Sequence, residues 1–120
     1  MIGNFDEKKF QNLSPLGKVA NLFKLFNIHY KKAKIETLLD CGDHAIYGMV
    51  DAIELDREYG WDIYISESPN GFLWVHQGKR LIGLDLKDPF AILTFLKAIL
   101  EKKNIVEKLG NYYKQRRKKE

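Results

Sequence analysis

The sequence predicts an α+β domain with N-terminal helices, a three-stranded antiparallel meander and C-terminal helices. Three observations carry that prediction. Apolar residues recur at helical spacing after "SP" near residue 14 and again after "DP" near residue 88. Between them, "WDIYI" and "FLWVH" alternate apolar and polar positions around the turn signal "SPNG". At 120 residues, with 45% hydrophobic and 30% charged side chains, the chain has the size and composition of one globular domain.

Residues 1–13 read as a charged lead-in, and the helical part as 14–58. In "SPLGKVANLFKLF", Ser14 is placed to cap and Pro15 suits the first turn. Leu16, Val19, Ala20, Phe23 and Phe26 then share a face, with Lys18, Asn21 and Lys24 opposite. "KKAKIETLLD" reads as a short second helix ending near Gly42. Over residues 43–58, Ile46, Met49, Val50 and Ile53 form a helical stripe, opposite Tyr47, Asp51, Glu54 and Glu58. A strand reading competes, because Met49, Ile53 and Leu55 also alternate; the helix is favoured. The meander spans 61–84: "WDIYI", a turn at Pro69-Asn70-Gly71, "FLWVHQ", a second turn at "GKR", and "LIGL". Asp88-Pro89 opens the C-terminal helices at 88–113, either one helix or two broken near Asn104. They offer a surface for a dimer. Residues 114–120 form a basic tail.

Charge is distributed in three blocks. Residues 1–34 carry seven Lys and two acids, residues 35–68 nine acids and one Arg, and residues 69–120 twelve basic residues and five acids. A chain that is basic, acidic and basic in turn does not have the profile of a uniformly basic nucleic-acid binder. Nucleic-acid contact is therefore expected from the ends of the chain, particularly the tail, through Lys114, Arg116, Arg117, Lys118 and Lys119; a solubilising end accounts for the same residues equally well.

The order helix, short helix, turn, helix, aromatic hairpin is that of a winged helix-turn-helix. Gly60, "WDIYI", "SPNG" and Gly71-Phe72-Leu73-Trp74 resemble the wing of DNA-binding domains of the biotin-operon-repressor type. The resemblance covers roughly Leu16 to Val75 and implies a third helix that enters the major groove. That helix would here present Asp51, Glu54 and Glu58, with Asp43 and Asp56 at its ends, and carboxylates oppose the phosphate attraction on which DNA affinity rests. The acidic face is better suited to a protein partner. Tyr47, Asp51, Glu54, Glu58, Tyr64, Phe72 and Trp74 are accordingly the candidate protein-binding residues.

Signals for chemistry are weak. Cys41 and His44 stand close together in "DCGDH", as a thiol and base or as two metal ligands would. No second cysteine completes a metal set, and a helix-cap turn with a small thiol accounts for them more simply. His29 and His76 are isolated. No phosphate-cradling glycine loop, nucleophile elbow or zinc-binding His-Glu-x-x-His occurs, so nothing calls for a catalytic residue, a metal or a cofactor. A single cysteine and a charged N-terminus without a signal-peptide stretch point to the cytoplasm, and no apolar run reaches membrane-spanning length.

The sequence thus suggests a non-catalytic regulatory binding module in a nucleic-acid-associated complex. An inhibitor or immunity-type protein, such as mobile elements encode, and a small enzyme using Cys41 and His44 are its rivals. If the tail binds duplex nucleic acid, deleting residues 114–120 weakens binding and flattens its dependence on salt. Unchanged binding in a salt titration of the truncated chain excludes that role.

Overall fold

The computed structural model describes residues 7–40 and 45–118. The chain is α+β, with a single five-stranded antiparallel sheet in the order β1-β2-β3-β4-β5. Two helices precede or enter the sheet, α1 (Glu7–Gln11) and α2 (Pro15–Leu25). The strands are β1 (Tyr30–Asp40), β2 (Ala45–Leu55), β3 (Ile63–Glu67), β4 (Leu73–Gln77) and β5 (Arg80–Leu84); α3 (Pro89–Leu100) and α4 (Ile105–Lys118) follow.

The predicted meander is present as β3 to β5. Its first loop closes as the residue types require: Gly71 takes a φ of 86° and donates its N–H to the Ser68 carbonyl at 2.9 Å. The second loop is the pair Gly78-Lys79, with Gly78 at a φ of 62°.

Two expected helices are strands. "KKAKIETLLD", extended by Tyr30, and the segment from Ala45 to Leu55 pair over eleven residues as the hairpin β1–β2, so the three-strand sheet grows to five. The helix-turn-helix that the winged-helix resemblance implies is not formed in these segments. Two physical terms favour the hairpin over the helical stripe. Its register sets Lys31 opposite Glu54 and Lys34 opposite Asp51, so basic and acidic blocks neutralise each other across the strands. It also points Ile53 and Leu55 into the core, where they are 2% and 3% exposed, whereas a helix there would carry Gly48 at a cost of about 1 kcal/mol. Only residues 52–54 of β2 pair with β3, so beyond Asp51 the hairpin projects as a two-stranded ribbon.

One face of the sheet carries the core. Ile53, Leu55, Ile63, Ile65, Leu73, Val75 and Leu84 meet Val19 and Phe23 of α2, Phe95 and Ile99 of α3, and Ile105 and Leu109 of α4. The Phe23 and Phe95 rings stack with centroids 5.9 Å apart. Polar side chains on the same face cap the helices: Glu67 of β3 accepts from Leu16 N–H at 2.9 Å, and Gln77 of β4 accepts from Ile105 and Val106 N–H at 2.8 and 3.3 Å. Each link fixes where a helix begins relative to a strand.

The C-terminal region is two helices. Lys102 adopts a φ of 57°, ending α3, and Asn104 caps α4 by accepting from Glu107 N–H at 2.9 Å. The segment expected as a separate tail is helical through Lys118, which carries Lys114, Arg116 and Arg117 into α4; Lys119 lies outside the described residues.

Asp88 holds the two helices together. Its carboxylate caps α3, accepting from Phe90 and Ala91 N–H at 3.0 and 3.3 Å. It also accepts from the Tyr112 hydroxyl at 2.7 and 2.9 Å and from Arg116 at 2.6 Å. The Tyr112 bond, aided by Arg116 and the two amides, holds the Asp88 carboxyl below its usual range and raises the Tyr112 phenol. Because the folded-state value is depressed, the stabilisation is present at neutral pH and lost as pH falls below about 4. Asp88→Ala is expected to destabilise the fold by about 2 kcal/mol at pH 7 in urea denaturation, and the difference from the parent should shrink at pH 3.

Candidate functional site

The acidic residues singled out in the sequence do not share a surface. Asp51 and Glu54, three apart on a strand, point to opposite faces, and each has a basic partner. Lys34 Nζ lies 3.7 Å from Asp51, and Lys31 Nζ 3.3 Å from Glu54, which also accepts from the Tyr64 hydroxyl at 3.4 Å. Burial first, and then the Glu54 charge, raise the Tyr64 phenol. Glu58 sits in the short 3-10 turn Arg57–Tyr59, where its carboxylate meets His29 Nδ1 at 3.0 Å. Tyr47 stands far from these on the projecting ribbon, 72% exposed, beside Met49 at 61%.

What the fold does bring together are two groups that the sequence assigned to different partners. A cleft of about 970 Å³ curls around the end of β5. Phe72 and Trp74 reach it from the β3–β4 loop and β4, and Lys114, Arg116 and Arg117 from α4; Phe10 and Lys18 enter from the N-terminal helices and Lys87 from the loop before α3. Leu73, Ile82, Leu84, Leu86 and Ile92 supply apolar lining, and Asp85 is the one acidic lining residue. Phe72 is 63% exposed and Trp74 38%, so both aromatics offer surface. The Trp74 indole rests on Gly83 of the neighbouring strand, since a Cβ built there would lie 3.8 Å from the ring.

Charge in the cleft is uneven. Arg116 is committed to Asp88. Among the described residues, no carboxylate lies within ion-pair distance of Lys87, Lys114 or Arg117. Lys114 and Arg117, three residues apart, fall on one face of α4. Arg116 is therefore an anchor, and the positions on either side of it carry the available charge. Deleting residues 114–120 removes this anchor as well as the charge, so point variants separate the two effects.

Other clusters serve the fold. On the sheet face away from the helices, Ser66 Oγ lies 2.7 Å from His76 Nε2 across β3 and β4. Ser66 is 2% exposed, and Glu54 on the same face engages Tyr64 and Lys31, so the pair is a buried hydrogen bond without an orienting carboxylate. Among the described residues, His29, Asp56 and Glu58 bring ligating atoms within 4.8 Å of one another and are the ones that could share a metal ion. All three are exposed, and the His29–Glu58 contact accounts for their grouping without one. Cys41 and His44 lie outside the described residues.

Sequence reasoning found Phe72 and Trp74 and the α4 cations, but missed Lys18, Lys87 and the apolar lining. Their separation along the chain, from residue 10 to residue 117, leaves no local pattern to read. No family model, no curated protein and no solved structure matches the chain. No helix among the described residues is long and apolar enough to cross a membrane.

Burial lowers the His76 pKa below its usual 6.5, so the imidazole is neutral at pH 7. Between the depressed folded value and 6.5 the unfolded chain binds the extra proton, and stability falls as the medium is acidified. Urea midpoints at pH 7.5 and 5.5 should show a smaller drop for His76→Gln than for the parent; equal drops would exclude His76 as the source.

Proposed function

We propose that this chain is a non-catalytic regulatory module that acts by binding another protein, and that the cleft beside β5 receives the partner. The carrying observation is that the exposed Phe72 and Trp74 line the same cleft, at the β5 edge, as Lys87, Lys114 and Arg117. Exposed Trp, Phe and Arg around a concave apolar patch are the side chains in which binding energy concentrates at protein interfaces. The unpaired cations favour an acidic partner surface and speed its approach. Of the acidic residues expected in this role, Asp51 and Glu54 each pair with a lysine and Glu58 contacts His29, whereas Lys87, Lys114 and Arg117 have no carboxylate within ion-pair distance among the described residues.

A second reading, an inhibitor that plugs its target, is favoured by the ribbon of β1 and β2, which projects beyond the sheet with Tyr47 and Met49 exposed. The two readings place the contact at different ends of the molecule.

Affinity purification of the tagged chain from its native host, with nuclease treatment, tests both. A stoichiometric protein complex that survives nuclease and loses at least tenfold affinity in Phe72→Ala/Trp74→Ala supports the cleft. Loss instead in Tyr47→Ala/Met49→Ala supports the ribbon, and a complex that dissolves with nuclease contradicts direct protein binding.

A further inference from the structure

Among the described residues, three stretches of strand lack a neighbour on one side: β1, β5, and the part of β2 that extends past β3. β2 meets β3 only at residues 52–54, so residues 45–51 have β1 on one side and no strand on the other. Such an edge ordinarily invites one more strand, and proteins blunt it with lysine, proline or a covering group. β1 carries Lys31, Lys32 and Lys34. At β5 the Tyr113 hydroxyl donates to the Gly83 carbonyl at 3.0 Å and accepts from Asp85 N–H at 3.2 Å. One phenol on α4 thus occupies two backbone groups there, and an added strand would have to break both bonds.

β2 has no comparable guard. Residues 46–50 read Ile-Tyr-Gly-Met-Val, without a charge or a proline. Tyr47 and Met49 share a face of the strand and are 72% and 61% exposed, so both apolar side chains are left to water. A two-stranded ribbon is marginally stable by itself, and a further strand with an apolar face is what secures it.

The segment is also complementary to itself. A two-fold axis normal to the sheet at Gly48 runs a second copy of β2 antiparallel to the first. Tyr47 then lies opposite Met49 of the second copy, and Ile46 opposite Val50 of the second copy. Glycine at the axis leaves room where two identical residues must meet. The rings and thioethers of both copies gather on one face, a favourable cross-strand pairing. No like charges oppose each other, because the β1 lysines face residues 51, 53 and 54, beyond the paired stretch. β3 flanks β2 from residue 52 onward, so a register shifted towards the body of the protein would strike it.

We propose that this chain forms a homodimer through residues 46–50 of β2, paired antiparallel about Gly48. The two ribbons become one four-stranded sheet in the order β1-β2-β2-β1. The dimer does not rest on the reading of the cleft, and it leaves each cleft free, since β5 is the other edge of the sheet. It assigns the ribbon to a second copy rather than to a target. So short a pairing buries less than the roughly 1,200 Å² of stable complexes, and association in the micromolar range is expected.

Sedimentation velocity of the full chain under reducing conditions tests this. The sedimentation coefficient should rise reversibly from monomer to dimer between roughly 1 and 300 µM and stop there, because a two-fold contact is closed. Tyr47→Lys/Met49→Lys sets lysine against lysine in both cross-copy pairs and should raise the dimer Kd at least about tenfold. Tyr47→Glu/Met49→Lys sets opposite charges in the same pairs and should bring the Kd back to about the parent's. A parent that stays monomeric throughout overturns the dimer, as does growth beyond two copies. Dimers indifferent to Tyr47→Lys/Met49→Lys put the contact elsewhere and overturn the site. Equal loss in both double variants overturns the Gly48 register. A dilute variant whose circular dichroism departs from the parent's overturns the premise that these side chains are free in the monomer.

Discussion

The arrangement of the C-terminal half depends on one carboxylate. Asp88 begins α3 by taking its first amide protons and, with its remaining lone pairs, holds Tyr112 and Arg116 of α4. A buried acid is costly unless its acceptor sites are filled, and here four donors fill them, the Tyr112 hydroxyl being shared between both oxygens. Because α4 is gripped near its C-terminal end by Asp88 and at its first turn by Gln77, its rotation about its own axis is set at both ends. That rotation decides which residues of the basic run face the cleft. Arg116 is consumed as a fixture, while Lys114 and Arg117 are presented.

A second constraint governs the other half. Lys31 and Lys34 at the end of the basic block and Asp51 and Glu54 of the acidic block lie on consecutive strands of one hairpin, and their charges pair across it. Exposed pairs of this kind contribute little stability each, of order 0–1 kcal/mol. Their larger effect is on register, because a slip of one residue would bring lysine over apolar positions and turn Ile53 and Leu55 out of the core. Pairing engages two carboxylates of the acidic block, Asp51 and Glu54, with lysines of the neighbouring strand.

The hairpin β3–β4, the capped starts of α2 and α3 and the apolar character of α3 were legible because each is written in adjacent residues: Ser14-Pro15, Pro69-Asn70-Gly71, Asp88-Pro89. Residues 31–55 were misread because Ile46, Met49, Val50 and Ile53 satisfy a helical period while the strand signal depends on a partner 25 residues away at its open end, where Tyr30 faces Leu55. Local spacing cannot register that Lys31 will face Glu54. The site was half legible for the same reason. Trp74 and Arg117 were visible as an aromatic and a cation, but their meeting depends on Asp88, whose capping role is local and whose grip on α4 is not.

The Tyr113 hydroxyl gives the sheet an ending of an unusual kind. At the opposite edge, β1 carries Lys31, Lys32 and Lys34, and lysine side chains along an edge discourage a second copy from adding to it. At β5 the deterrent is a single side chain belonging to another layer of the molecule. Edge and helix are thereby made one mechanical unit: drawing α4 outward would bare an unsatisfied backbone strand at the same moment that it widened the cleft. The cleft and the sheet edge therefore share one border, the Tyr113 side chain.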